Sequence, residues 1–122
     1  MNTKFAVGTT VRSRLLQDQS IVSVIDDRIY PVVVPKGSTG DFIVYVRDSY
    51  SKQRNGMGNT EECGLYIVCG SKSYDTSVEL AERVNAICEG FSTPGIRRME
   101  LADSSEEFES DIYMQILLFN II

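Results

Sequence analysis

The segment from Thr76 to Glu89 constrains the fold more than any other part of this chain. Thr76 and Glu79 stand at the spacing of a capping box, and Leu80, Ala81, Val84, Ile87 and Cys88 form one apolar stripe at the 3.6-residue period. Gly90 follows where a left-handed terminator belongs, and Pro94 prevents the helix from resuming. A helix with one apolar stripe has to lay that stripe on another element. The flanking segments read as strands, so a sheet is the expected partner.

Phe42 to Tyr50 reads as a long strand, with Phe42, Val44 and Val46 on one face and Ile43, Tyr45 and Arg47 on the other. The polar stretch Ser51 to Asn59 reads as a loop leading to a second strand, Glu62 to Gly70, which together predict a hairpin with a long, mobile tip. Arg28 to Val34 is β-branched or aromatic, and Pro31 and Pro35 confine such a strand to an edge. Ile96 to Leu101 and Asp111 to Ile122 read as two more strands joined through an acidic turn, Asp103 to Glu109. At the start, Val7, Val11 and Leu15 predict a helix over Thr3 to Gln17, weakened by Gly8 and the run Thr9-Thr10-Val11. Asp18 or Ser20 caps a second short helical turn carrying Ile21, Val24 and Ile25. The expected class is α+β: one domain over residues 1–122, an antiparallel sheet of four to five strands, and two helices packed on one face.

The final strand is apolar on both sides. Ile112, Met114, Ile116 and Leu118 alternate with Tyr113, Leu117, Phe119 and Ile121, interrupted only by Gln115 and Asn120. Helices on one face leave the second face needing another partner, and an apolar patch of that kind marks an interface. Tyr113, Leu117, Phe119 and Ile121 are the candidate subunit-interface residues.

The composition narrows the chemistry. With no histidine, the commonest general acid/base and the commonest metal ligand are both missing. Gly56-Met57-Gly58 lacks the third glycine and the strand-turn-helix setting of a dinucleotide fingerprint. The carboxylates from Asp103 to Asp111 do not match the ligand spacing of a calcium loop. No catalytic residue, cofactor site or metal site is expected, and the chain reads as a non-enzyme. Cys63 and Cys69 are too far apart along a strand to pair, so free buried thiols are expected, in a chain without a signal-like start that stays where it is made. No apolar run is long enough for a bilayer span. The net charge of −5 weighs against a protein that grips nucleic-acid phosphates, although an acidic protein can line a passage for DNA.

Several segments, in order, carry a family resemblance. Leu15-Leu16-Gln17-Asp18 through Ile21, Ile25 and Asp27-Arg28-Ile29-Tyr30-Pro31 resembles the opening of small minor tail proteins of long-tailed phages and prophages. The likeness continues through Phe42-Ile43-Val44-Tyr45, the helix Ala81 to Ile87, and the ending Glu106 to Phe119. These are the tail completion, tail terminator or head-tail joining proteins. Gly40-Asp41 departs from the pattern, since family members often carry a proline just before the second strand. The resemblance implies a sheet with helices on one side, assembly into a six-subunit ring capping the tail tube, and no catalytic residues. The implied location is the head-tail junction of a virion, with assembly in the host cytoplasm.

In that setting the partners would be further copies of the chain, the tail tube protein and neck or connector proteins. Lys52, Arg54 and Met57 are the candidate partner-binding residues, two cations for acidic groups and a flexible apolar side chain for a groove. Glu106, Glu107 and Glu109 are candidates for a lumen that repels DNA phosphates, against the alternative of a solvated outer turn. Two other functions stay open: another neck or connector component, and an intracellular ligand-binding or regulatory module.

Overall fold

The structure, a computed structural model, describes residues 4–55 and 58–122, with the backbone alone over 53–60. A 3-10 turn, Lys4–Ala6, leads into α1 (Val7–Leu15), α2 (Gln19–Ile25), β1 (Ile29–Pro31), β2 (Phe42–Asn55), β3 (Gly58–Ser71), α3 (Tyr74–Cys88), β4 (Met99–Glu109) and β5 (Ile112–Ile121). The class is α+β, as expected, with a five-stranded sheet in the order β1-β2-β3-β5-β4.

Local chemistry accounts for several of the helix ends. The Asp18 carboxylate accepts from the backbone N–H groups of Ser20 and Ile21 and from the Ser20 hydroxyl, so it caps α2. The hydrogen bond from the Ser20 hydroxyl is the main cause holding its pKa below the ordinary aspartate value. For α3 the cap is Ser73, whose hydroxyl accepts from the Thr76 N–H at 3.3 Å, so the helix starts earlier than the Thr76–Glu79 spacing predicts. Gly90, at φ 79°, ends it as expected. Gly8 has a packing reason: a Cβ there would lie 2.6 Å from the Tyr45 ring, so only glycine lets α1 rest on that aromatic.

All three helices lie on one side of the sheet, one more than the two expected. Val7, Val11, Leu15, Ile21, Ile25, Leu80, Val84 and Cys88 meet Ile43, Leu65, Ile67, Cys69, Phe119 and Met99 in one core. Cys63, Cys69 and Cys88 are free and buried. Burial pushes the thiol pKa of Cys88 up to about 12 and raises those of Cys63 and Cys69 as well.

Three features of the sheet differ from the expectation. First, β1 pairs with β2 in parallel, through Ile29–Ile43 and Tyr30–Val44, so the sheet is mixed. Parallel neighbours need a return connection, and because β1 has only three residues the segment Val32–Asp41 is long enough to provide it. Second, Ser51 to Asn59 is no long loop: β2 and β3 stay paired from Ser51–Glu62 to Asn55–Gly58. Gly56 and Met57 alone lie outside the described residues there. Backbone ladder bonds hold this arm where the side chains offer no apolar face to bury, which is why hydrophobic periodicity missed it. Third, the acidic segment is strand β4, whose residues 101–109 are exposed, and the chain reverses at Ser110 and Asp111 with φ values of 53° and 64°. Two consecutive positive φ values make the two-residue turn favoured by hairpins.

Candidate assembly surface

Side chains alternate across each strand, so burying Leu65, Ile67, Phe119 and Ile121 under the helices sends their neighbours to the opposite face. The cross-strand register assembles that outer face into rows. Phe42, Gly70, Met114 and Glu107 form one; Val44, Val68, Ile116 and Ser105 the next; Val46, Tyr66, Leu118 and Asp103 the third. Phe42 and Val44 are buried and the other large apolar side chains half-buried, with no helix laid over them. A Cβ at Gly70 would run into the Phe42 ring, so glycine lets that ring lie flat across the row. Each row passes from apolar residues on β2, β3 and β5 to acidic or hydroxyl side chains on β4.

This geometry moves the candidate interface to the other half of β5. Leu117, Phe119 and Ile121 are 4%, 0% and 1% exposed and belong to the chain's own core. Tyr113 faces the same way but lies at the sheet margin, edge-on to Tyr74 at a centroid distance of 5.5 Å and tilted against Phe108 at 4.6 Å. The residues on the uncovered face are Ile112, Met114, Ile116 and Leu118. Both sets are equally apolar, so periodicity revealed two faces without saying which one the helices take.

The three candidate lumen carboxylates are divided. Glu107 and Glu109 stand on the uncovered face with Asp103, whereas Glu106 points to the helix side. There its carboxylate accepts from the Tyr74 hydroxyl at 2.6 Å and from Gln115 Nε2 at 2.8 Å. The Tyr74 bond, then the Gln115 bond, lowers the Glu106 pKa, and the same contact raises that of Tyr74. Gln115 Nε2 also donates to Ser77 Oγ at 3.3 Å, tying β4 and β5 to the start of α3.

Of the candidate docking residues, Lys52 sits on the helix side of the hairpin arm, its Nζ 3.6 Å from Glu61. Glu61 also accepts from the Tyr50 hydroxyl at 3.1 Å and meets Lys4 Nζ at 3.6 Å. The Tyr50 bond is the main cause of its lowered pKa. The sequence reading missed Glu61 as the partner of Lys52, although strand pairing with a two-residue connection would have put the two opposite one another. Met57 and the side chain of Arg54 lie outside the described residues. Among the described residues, no group of three or more His, Cys, Asp or Glu side chains is placed to hold a metal ion. Among the described residues, no helix is long and apolar enough to cross a membrane.

Comparison with known proteins adds one finding. No family model matches the sequence, and no curated protein matches it. Among solved structures, the chain is similar to one in the virion of a native gene transfer agent (GTA) particle. The TM-score is 0.80 at 14% identity, over 94% of this chain and 92% of that one. At that identity the likeness shows a shared fold. It spans nearly the full length of both chains.

Proposed function

We propose that this protein is a structural subunit of a phage-like virion. More narrowly, it is a tail completion (terminator) subunit that forms a ring, caps the tail tube and joins it to the head. The observation that carries this reading is the fold shared along nearly its full length with a chain of a gene transfer agent virion. The sequence resemblance to tail completion proteins, which rests on separate residues and motifs, points the same way.

The surface fits an assembly role. One sheet face is apolar and carries no helix, and the strand at its margin carries Asp103, Glu107 and Glu109 on that same face. A subunit that lines a passage for DNA gains from carboxylates there, since they repel phosphates and keep the genome from adhering. Self-association supplies the ring, and the tail tube and neck proteins are its partners above and below.

The test is deletion of the gene from the phage or prophage that carries it, with particle imaging. The expected result is filled heads separated from tails of irregular length, because an uncapped tube keeps growing. Uniform, finished tails that fail to join heads would assign the protein to another neck component. Normal yields of infectious particles would refute the virion role altogether.

A further inference from the structure

Part of each long edge of the sheet has no ladder partner among the described residues, and we propose that copies of the chain join head to tail by pairing the Asp103–Glu109 part of β4 in one copy with the open half of β2 in the next. This inference rests on the self-assembling reading above but concerns which surfaces meet. On one side, β1 pairs with β2 only from Ile43 to Tyr45, and Val32 N–H adds one bond to the Tyr45 carbonyl at 2.8 Å. From Val46 to Asn55 that edge of β2 has no strand beside it among the described residues. On the other side β4, Met99–Glu109, is the outermost strand; the Met99 carbonyl accepts from the Gly90 N–H at 2.8 Å and the Leu101 N–H donates to the Glu89 carboxylate at 2.6 Å, so the open part of this edge runs from Asp103 to Glu109. Each edge offers alternate N–H and C=O groups without a ladder partner, the usual template for pairing with another chain.

Charge decides which edges meet. β4 carries Glu100, Asp103, Glu106, Glu107 and Glu109 and no Lys or Arg, a charge of −5. Two β4 strands set side by side would oppose carboxylate to carboxylate, which bars the two-fold dimer. The open half of β2 carries Arg47, Lys52 and Arg54 against Asp48, a charge of +2, with Lys52 also facing Glu61 of β3 at 3.6 Å. Unlike edges attract, so the contact is heterologous and repeats from copy to copy until a ring closes.

Strand direction agrees. β2, β3, β5 and β4 are antiparallel at every step, so β2 and β4 run in opposite senses. A copy brought alongside by rotation therefore meets its neighbour with an antiparallel junction. Within one copy Met99 is level with Ile121, Cys63 and Tyr50, which leaves the acidic half of β4 level with the part of β2 that β1 covers. The next copy has to be staggered along the strands, as tilted strands are when a sheet closes on itself. That stagger brings the β4 end bearing Phe108, 58% exposed, towards Val32 and Val33, 68% and 67% exposed, so three exposed apolar side chains gain a contact.

Cysteine cross-linking of the full-length protein tests this. Ser51 on β2 and Asp103, Ser105 and Glu107 on β4 are exposed and share the uncovered face. The native thiols are buried with raised pKa values, which keeps them out of the reaction. Ser51→Cys mixed with Asp103→Cys, Ser105→Cys or Glu107→Cys should give a disulfide-linked dimer in at least one of the three registers. The matching double variant should give a ladder of multimers, while each single variant alone stays uncross-linked. Cross-linking of Ser105→Cys with itself would overturn the proposal in favour of β4–β4 pairing. A stable oligomer with no cross-link in any register would overturn it while leaving the virion role standing. A chain that stays monomeric and uncross-linked up to its solubility limit would also overturn it, and the virion role would then be judged by the deletion phage alone.

Discussion

Replacing Phe119 with alanine separates the core from the assembly surface. The side chain is fully buried and sits beside Leu65 and Leu101 in the ladder. Truncating a buried phenylalanine costs the transfer free energy of the ring plus that of the cavity it leaves, about 3–5 kcal/mol together. A domain of this size has a total stability of about 5–15 kcal/mol, so the variant should lose a large share of it. With a urea slope of about 2 kcal/mol per molar, the unfolding midpoint should fall by roughly 1.5–2.5 M. Far-UV circular dichroism in urea reads this, at a protein concentration low enough that association adds nothing. Leu118→Ala is the control: the next residue along, half-buried on the uncovered face, should cost about 1 kcal/mol. If Phe119→Ala shifts the midpoint by less than Leu118→Ala, the two faces of β5 have been exchanged and the placement of the core is wrong.

Two further substitutions test other parts of the structure. Val84→Asp puts a lone carboxylate under α3 at a fully buried position, a cost of several kcal/mol that should unfold the chain; melting like the parent would show that α3 does not pack through this stripe. Tyr74→Phe removes the hydroxyl that lowers the Glu106 pKa, though Gln115 still donates. Because the folded pKa of Glu106 is depressed, its contribution is present above the ordinary glutamate value of about 4.3 and disappears as pH falls through the folded value. Tyr74 is the opposite case, its raised pKa giving a contribution below about pH 10 that disappears as pH rises through the folded value. The variant should therefore lose stability less steeply on acidification and lack the alkaline step. Melting curves across pH check both, and profiles that overlay the parent would mean that the Tyr74–Glu106 bond does not form in solution.

Elements whose signals are local are legible in the chain itself. The α3 stripe, the Asp18 cap, the Gly90 terminator and the apolar parts of β2, β3 and β5 all depend on neighbours within a turn or a few residues, and each stands where those residues predict it, whereas the strand expected over Arg28 to Val34 shrinks to Ile29–Pro31 and the one expected from Ile96 begins at Met99. The polar strands are not legible in this way. Ser51–Asn55 and Asp103–Glu109 have no apolar face to mark them, and their extended form follows from ladder bonds to β3 and β5, partners that a linear pattern does not name. The candidate site is legible only in outline, as a β5 with two apolar faces and a cluster of carboxylates nearby.

By itself, then, the sequence determined that a capped amphipathic helix packs on a sheet, that β5 is apolar on both faces, and that an acidic segment lies beside it, because periodicity and composition are properties of the chain. Only the tertiary structure decided that Leu117, Phe119 and Ile121 go under the helices while Met114, Ile116 and Leu118 do not. The same holds for the turn of Glu106 towards Tyr74, away from Glu107 and Glu109, and for the parallel course of β1. The parallel course of β1 follows from the return segment Val32–Asp41; the other two share one physical reason. A strand shows which residues share a face but is indifferent to which face is covered. Three helices packing on one side of the sheet resolve that choice, and with it every side chain's direction.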